Sequence, residues 1–423
     1  MKPRLPDALR RLRTRAATTA AYLATTASRV TGRGSGGMIG GLVAGAVDPE
    51  IMGTLADERP VVLVTGTNGK STTTRMLAAA MRGQFSIATN EGGDNMDAGI
   101  ISALLAERDA SHVVLEVDEL HVPSAIERLE PSCLVLLNLS RDQLDRVGEI
   151  NKIERVLRDA VRSNPDMIVV ANCDDVLVTS IAFDAPNVIW VAAGSGWQGD
   201  AVTCPRTESR IVYEGNHWRA TKELLDGRTF ERPTPSWAVD GNTVHTPDGD
   251  ITLDLNLPGQ ANRGNAAQAI CAATVYGVDL HEAVDAVNSV DNVAGRYSTI
   301  TYGDHEVHLL LAKNPAGWQE ALAMVDRTAD GLVIAVNGQV ADGEDLSWLW
   351  DVRFEDFSGL AVMASGERGT DLAVRLTYAD IDHELHRDPL AAIRACPPGR
   401  VEVLANYTAF RDLKRALEKE INN

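Results

Sequence analysis

Positive charge is scarce in this chain. Forty lysines and arginines stand against 59 aspartates and glutamates in 423 residues, a formal net charge of −19. A nucleic-acid partner requires a basic face, so this balance excludes broad nucleic-acid binding. Cysteine is scarce as well. The five, at 133, 173, 204, 271 and 396, form no CxxC pair. That excludes a disulfide framework and a four-cysteine zinc site, and it fits a reducing, cytoplasmic setting. Long apolar runs are missing too, none reaching the roughly 18 residues of a membrane-crossing helix. The Ala/Thr-rich stretch 16–27 is too weakly apolar for a secretory core. What remains is ordinary for a globular protein, with 44% hydrophobic and 23% charged residues. The length suggests two or three domains.

The scarce positive charge is concentrated at one end. Residues 1–35 hold eight lysines and arginines against Asp7 alone, a net +7, which leaves −26 on the remainder. The pattern predicts an amphipathic helix that either meets an anionic membrane surface or packs, solvated, on the main domain. A glycine-rich stretch, 32–45, follows and is expected to pack closely on the next domain or to loop over it.

The most informative stretch is Val61–Leu77, VVLVTGTNGKSTTTRML. Val61–Val64 reads as a buried parallel strand. Thr65, Gly66, Thr67, Asn68 and Gly69 form a tight loop, and Lys70, Ser71 and Thr72 open a helix. Strand, loop and helix in this order make a P-loop, whose backbone N–H groups and helix N-terminus cradle phosphates. Lys70 is placed to reach the terminal phosphates of ATP, and Ser71 or Thr72 to ligate Mg²⁺. One departure from the general pattern is Val64, where a glycine is usual five residues before Gly69.

Further along, strands and helices alternate from Val61 to Val191, which predicts an α/β, doubly wound, mostly parallel sheet. Strand 111–117 ends in Glu116, Asp118 and Glu119. Carboxylates at that end of a parallel strand lie on the ligand side, and Glu116 is the better Mg²⁺ candidate. Residues 194–252 are polar and turn-rich and read as a small inserted β element. A helix over 262–276 carries Asn262 and Asn265 near its start, placed either to cap it or to meet a purine. A second α/β unit begins near residue 300, with a long acidic loop at 337–351. The expected domains are a basic, Gly-rich segment (1–50), an ATP-binding domain (51–297) and a C-terminal Rossmann-like α/β domain (298–423).

TGTNGKS at 65–71, EVDE at 116–119, Asn138 before RDQLD, PGQANRGNAA at 258–267 and Gly295-Arg296 resemble the Mur ligase superfamily. RDQLDRVGE, AKNPAG, ADGEDLSWLWD, SGERGTDLAVRLTY and NYTAF resemble, more narrowly, the MurT family, the ligase-like subunits of lipid II isoglutaminyl synthases. The resemblance spans about residues 35–415. It implies ATP-dependent amidation of the D-glutamate α-carboxylate of the lipid II stem peptide to D-isoglutamine, through an acyl phosphate. Ammonia would come from a GatD-like glutaminase held in a heterodimer. Asn262 and Asn265 would meet adenine, and Arg296 the ribose or phosphates. An aspartate of the C-terminal domain would complete the partner's Cys-His site, the candidates being Asp342, Asp345 and Asp351. With Lys70 and Glu116 these are the candidate catalytic residues.

The resemblance also implies a zinc ribbon in the insertion. Here Cys204-Pro205-Arg206-Thr207 stands where its CPxC start is expected, so the frame predicts no structural zinc. Gln143 stands where many Mur ligases have a metal-holding histidine. A cytoplasmic protein lying peripherally at the inner face of the membrane is expected. The competing readings are another Mur or folylpolyglutamate-synthase-like amino-acid ligase, and an ATP-binding scaffold of a glutaminase.

Overall fold

The computed structural model describes residues 7–30, 38–90, 92–141, 149–194, 199–290, 297–343, 345–355, 357 and 359–421. The chain divides into two compact units. The first comprises Met1–Leu139, Asn151–Ser195 and Ala201–Asp291, the second Ser140–Ile150, Gly196–Asp200 and Asn292–Asn423.

In the first unit, three helices precede the sheet: α1 (Asp7–Val30), α2 (Ile39–Val47) and α3 (Ile51–Ala56). Then come β1 (Val61–Thr65), α4 (Lys70–Arg82), β2 (Ile87–Thr89), α5 (Asp97–Ala106), β3 (His112–Glu116), α6 (Val122–Leu129) and β4 (Cys133–Leu136). After α7 (Glu149–Arg162) follow β5 (Ile168–Asn172), α8 (Val176–Ala182) and β6 (Val188–Ala192). The polar region supplies β7 (Ile211–Glu214), β8 (His217–Ala220), β9 (Trp237–Asp240), β10 (Thr243–Thr246) and β11 (Gly249–Thr252), and the unit ends with α9 (Gln260–Val275) and α10 (Leu280–Asn288).

Among the described residues, its main sheet runs β11-β10-β9-β6-β5-β4-β1-β3-β2. Strand β1 lies between β3 and β4, parallel to both, with Val64 opposite Glu116 and Val135. Every residue of β1 and β4 is buried. Such two-sided burial selects an unbroken β-branched run, each apolar side chain contributing roughly 1.5–3 kcal/mol relative to exposure. Helix α9 covers this sheet with small residues. A Cβ on Gly264 would lie 2.1 Å from the Ala193 carbonyl oxygen, and Gln268 Nε2 donates to Leu136 O at 2.9 Å.

The small β element expected at 194–252 is made of two parts. Strand β9 pairs in parallel with β6 through Val191 and Trp237, so β9, β10 and β11 extend the main sheet. Among the described residues, β7 and β8 form a separate two-stranded hairpin. Around it Cys204, Trp218 and Phe230 are buried. Phe230 packs on Phe183 and Trp218, with ring centroids 5.1 and 5.2 Å apart. The Arg206 guanidinium lies over Phe183 at 5.0 Å and pairs with Asp184 at 2.7 Å. Trp218 Nε1 donates to Cys173 O at 3.1 Å.

The second unit holds β12 (Tyr297–Tyr302), β13 (His305–Leu311), α11 (Pro315–Met324), β14 (Gly331–Ala335), a 3-10 helix (Ser347–Trp350), β15 (Val362–Ser365), α12 (Gly369–Tyr378), β16 (His383–His386), α13 (Pro389–Ala395), β17 (Gly399–Ala405) and α14 (Tyr407–Ile421). Its sheet runs β12-β13-β17-β14-β15-β16, with β12 antiparallel to β13 and the other pairings parallel. Trp318, Trp348 and Phe354 are buried in one hydrophobic core of this unit, with Trp318 stacked on Trp348 at 5.2 Å. Of the aromatic pair in the acidic loop, Trp348 is therefore core, while Trp350 is exposed.

Candidate nucleotide site

The loop after β1 is shaped by two glycines. Gly66 has φ +145 and Gly69 φ +86, where a side chain is strained. Space forbids one as well: a Cβ on Gly69 would sit 2.7 Å from Asn265 Oδ1, and one on Gly66 2.9 Å from the Asn138 carbonyl oxygen. Asn138, just beyond β4, pins the loop from the side. Its Oδ1 accepts from Asn68 N at 2.9 Å and its Nδ2 donates to Asn68 O at 2.9 Å. Thr67 N donates to Asn138 O at 3.0 Å. Helix α4 begins at Gly69 with no side-chain cap. Its first N–H groups point from a positive helix end, the arrangement that binds phosphate.

Lys70 is buried, and its ammonium is held within the loop. Nζ donates to Gly66 O at 2.7 Å and to Glu119 Oε2 at 3.2 Å. Glu119 is the functional candidate that sequence reasoning passed over; its signal was its place in EVDE, three residues beyond Glu116. Ser71 is half-buried and Thr72 buried at the start of α4. Thr65 differs from the rest of the loop. Its side chain is fully buried, its carbonyl accepts from Leu137 N at 3.0 Å, and its buried hydroxyl has no hydrogen-bond partner.

Glu116 ends β3 beside the loop. Asn90 clamps its backbone, accepting from Glu116 N and donating to Glu116 O, both at 2.8 Å. Asn95 Nδ2 donates to Oε1 at 3.0 Å, while the buried Oε2 has no hydrogen-bond partner. An orphaned, buried carboxylate oxygen next to a phosphate cradle fits a Mg²⁺ ligand. Among the described residues no group of three His, Cys, Asp or Glu side chains could hold a metal. A Mg²⁺ ion bound by one carboxylate, a hydroxyl and phosphate oxygens needs no such group.

On α9, Asn265 is buried against Gly69, at the cradle. Asn262 is half-buried and donates to Pro258 O at 2.6 Å, bracing the start of its own helix. The two asparagines thus have different surroundings. Arg296 and Gln143 lie outside the described residues.

In the second unit the three aspartates are all engaged. Asp342 caps α14: Oδ1 accepts from Thr408 N at 2.9 Å and Oδ2 from the Thr408 hydroxyl. Asp345 Oδ1 accepts from Ser347 N at 2.8 Å, and hydrogen bonds from Ser347, backbone foremost, hold its carboxyl below the ordinary range. Asp351 is exposed, its Oδ2 3.6 Å from Arg141 Nη2. Arg141 in turn is tied to Asp200 by its backbone N–H at 2.8 Å and by its guanidinium.

A P-loop on a mostly parallel sheet, an orphaned carboxylate beside it and a second α/β unit are the parts of a nucleotide-dependent ligase, and comparison with known proteins agrees. The Mur ligase middle domain matches residues 64–273. A pseudomurein peptide ligase type C from Methanothermus fervidus has a similar fold, with TM-score 0.68, 16% identity and coverage of 88% of this chain and 81% of that one. MurF ligase from Thermotoga maritima, solved in complex with ADP, gives TM-score 0.58 at 17% identity, covering 88% and 85%. The chain thus carries a Mur ligase middle domain on a fold that it shares with these ligases.

The second unit narrows this. The MurT ligase C-terminal domain matches residues 311–410. Subunit MurT of the glutamine-hydrolyzing lipid II isoglutaminyl synthase from Streptococcus pneumoniae is 28% identical over 89% of this chain and 92% of its own. The chain belongs to the MurT family of Mur-ligase-like proteins.

Proposed function

We propose that this protein amidates the α-carboxylate of D-glutamate in the lipid II stem peptide, giving D-isoglutamine, at the expense of ATP. The observation that carries the reading is the union in one chain of an intact P-loop ligase site with a MurT-type C-terminal domain. A carboxylate is a poor electrophile. Its oxygen attacks the γ-phosphorus of ATP, ADP departs, and the acyl phosphate now carries a leaving group. Ammonia attacks the acyl carbon, phosphate leaves, and the nitrogen loses a proton to give the amide.

The N–H groups of the 66–70 loop bind the phosphates, and Lys70 neutralises charge on the transferring group. The phosphate competes with Glu119 for the Lys70 ammonium, so this ion pair is exchanged on binding. Ser71 and Glu116 would hold Mg²⁺, which would supply positive charge against the transferring phosphate. Asn265 and Asn262 would meet the purine, and Arg296 the ribose or phosphates.

The ammonia would come from a GatD-like glutaminase in a heterodimer. One of Asp342, Asp345 and Asp351 would orient its catalytic histidine. No helix among the described residues is long and apolar enough to cross a membrane. A lipid-linked substrate would be met at the inner face of the membrane.

The test is an amidation assay on lipid II with ATP and Mg²⁺, first with ammonium chloride, then with the glutaminase and glutamine. The expected result is a loss of about one mass unit from lipid II, the mass difference between OH and NH2, with ATP consumed. ATP binding without amidation under either condition would overturn the substrate assignment.

A further inference from the structure

Helices α1 and α2 pack inside out. On α1, Ala17, Ala21 and Ser28 are buried, and on α2, Gly40, Gly41 and Ala44. The approach is close. A Cβ on Gly40 would lie 2.5 Å from the Thr25 hydroxyl oxygen, and one on Gly41 1.8 Å from the Ala98 carbonyl oxygen of α5. Polar ties fix the pair: Arg13 Nε donates to Val47 O and the Thr14 hydroxyl to Asp48 Oδ2, both at 3.0 Å. Gly41 N donates to Ser102 Oγ of α5 at 2.9 Å.

The large apolar side chains point away from these contacts. Leu12, Tyr22 and Leu23 on α1, and Ile39 and Leu42 on α2, are exposed, Leu12 to 65% and Leu42 to 57%. Positions 12, 16, 23 and 27 form one stripe along α1, a leucine or alanine at each. A helix of a water-facing fold turns its large apolar residues inward. Small residues inside and large ones outside is how helices pack when the medium around them is apolar.

Charge indicates which medium that is. Residues 1–35 carry a net +7 on a chain whose remainder carries −26. Two copies meeting through this face would set like charge against like. An anionic bilayer attracts the basic end and repels the rest, which orients the molecule. We propose that α1 and α2 form a membrane-contact hairpin that seats Leu12, Tyr22, Leu23 and Leu42 among the headgroups of an anionic bilayer. The proposal names the element behind the membrane placement given above. It rests on that placement and not on the identity of the substrate.

The experiment is flotation of the full chain with vesicles of phosphatidylcholine containing phosphatidylglycerol, against phosphatidylcholine alone. The chain is expected to float with the anionic vesicles and to be released by salt. The triple variant Leu12→Gln/Leu23→Gln/Leu42→Gln is expected to bind them at least ~100-fold more weakly. Its substitutions are on exposed positions, so ATP binding and amidation of detergent-solubilised lipid II should stay at the parent level. Failure of that amidation in both proteins would count against the substrate, not the hairpin. The hairpin proposal falls if the parent chain ignores anionic vesicles or if the variant floats equally well. It also falls if sedimentation velocity shows a dimer that the variant dissolves, because the face would then belong to a second copy.

Discussion

Glu116 and Lys70 define the site at the level of single side chains, and they make opposite demands. The Lys70 ammonium is satisfied by Gly66 O and Glu119, whereas Glu116 keeps one buried oxygen without a partner. Replacing Glu116 with Gln should lower ATP-dependent amidation at least ~100-fold, because even outer positions of a metal site cost 10–100-fold. Asn95→Ala removes only the donor that orients Glu116, and should cost about 10-fold with a raised Mg²⁺ requirement. A Mg²⁺ titration of initial rates distinguishes the two variants.

Burial elsewhere makes a pH prediction. Glu154 is almost wholly buried on α7, and burial raises its pKa above 4.5, against the pull of Ser180 and nearby arginines. A carboxyl with a raised folded pKa favours the native state when protonated. Its charge therefore costs stability increasingly as pH rises from 4.5 through the raised value. Glu154→Gln should gain stability relative to the parent across that window and level off above it. Melting curves at a series of pH values would show this, and an unchanged difference would refute it. The buried thiols are similarly protected: burial pushes Cys133 and Cys173 up to about 12 and Cys396 to about 11. None of the five cysteines should react with a thiol reagent until the chain unfolds.

Among the elements, legibility followed hydrophobic pattern. Strand β1, its loop and α4 were readable because a fully buried strand must be β-branched and the turn must carry glycine. Strand β16 was not readable. HELH is polar and unburied at a sheet edge, so no alternation betrays it. Strands β9 to β11 read as part of a small inserted element because edge hairpins carry the same turn chemistry whether or not they join a neighbouring sheet. The Gly69–Asn265 approach was hidden as well, since nearly 200 residues separate the two. Gly69→Ala should abolish ATP binding by forcing the cradle away from Asn265, and isothermal titration would measure it. Only the folded chain matches Asp342 of the acidic loop to α14. Asp342→Ala should lose about 1 kcal/mol of stability through that cap. Its effect on glutamine-dependent amidation must therefore be read as a ratio to ammonia-dependent amidation. If none of the Asp342, Asp345 and Asp351 variants lowers that ratio, the shared glutaminase site is wrong.

For the whole molecule, the sequence disclosed two α/β units but not their seams, because Ser140–Ile150 and Gly196–Asp200 cluster with the second unit while lying in the sequence of the first. No periodicity records such an excursion. The β7–β8 hairpin carries a further consequence at this scale. Arg206, Phe183, Phe230 and Trp218 hold it through ring packing, a cation–π contact and a hydrogen bond, all made by the chain's own side chains. Dialysis against a strong chelator should leave its melting temperature unchanged. A relative that closes the same region with thiolates depends on trace-element supply. The hairpin of this protein would keep its fold in a zinc-starved cell, where one closed by thiolates would open.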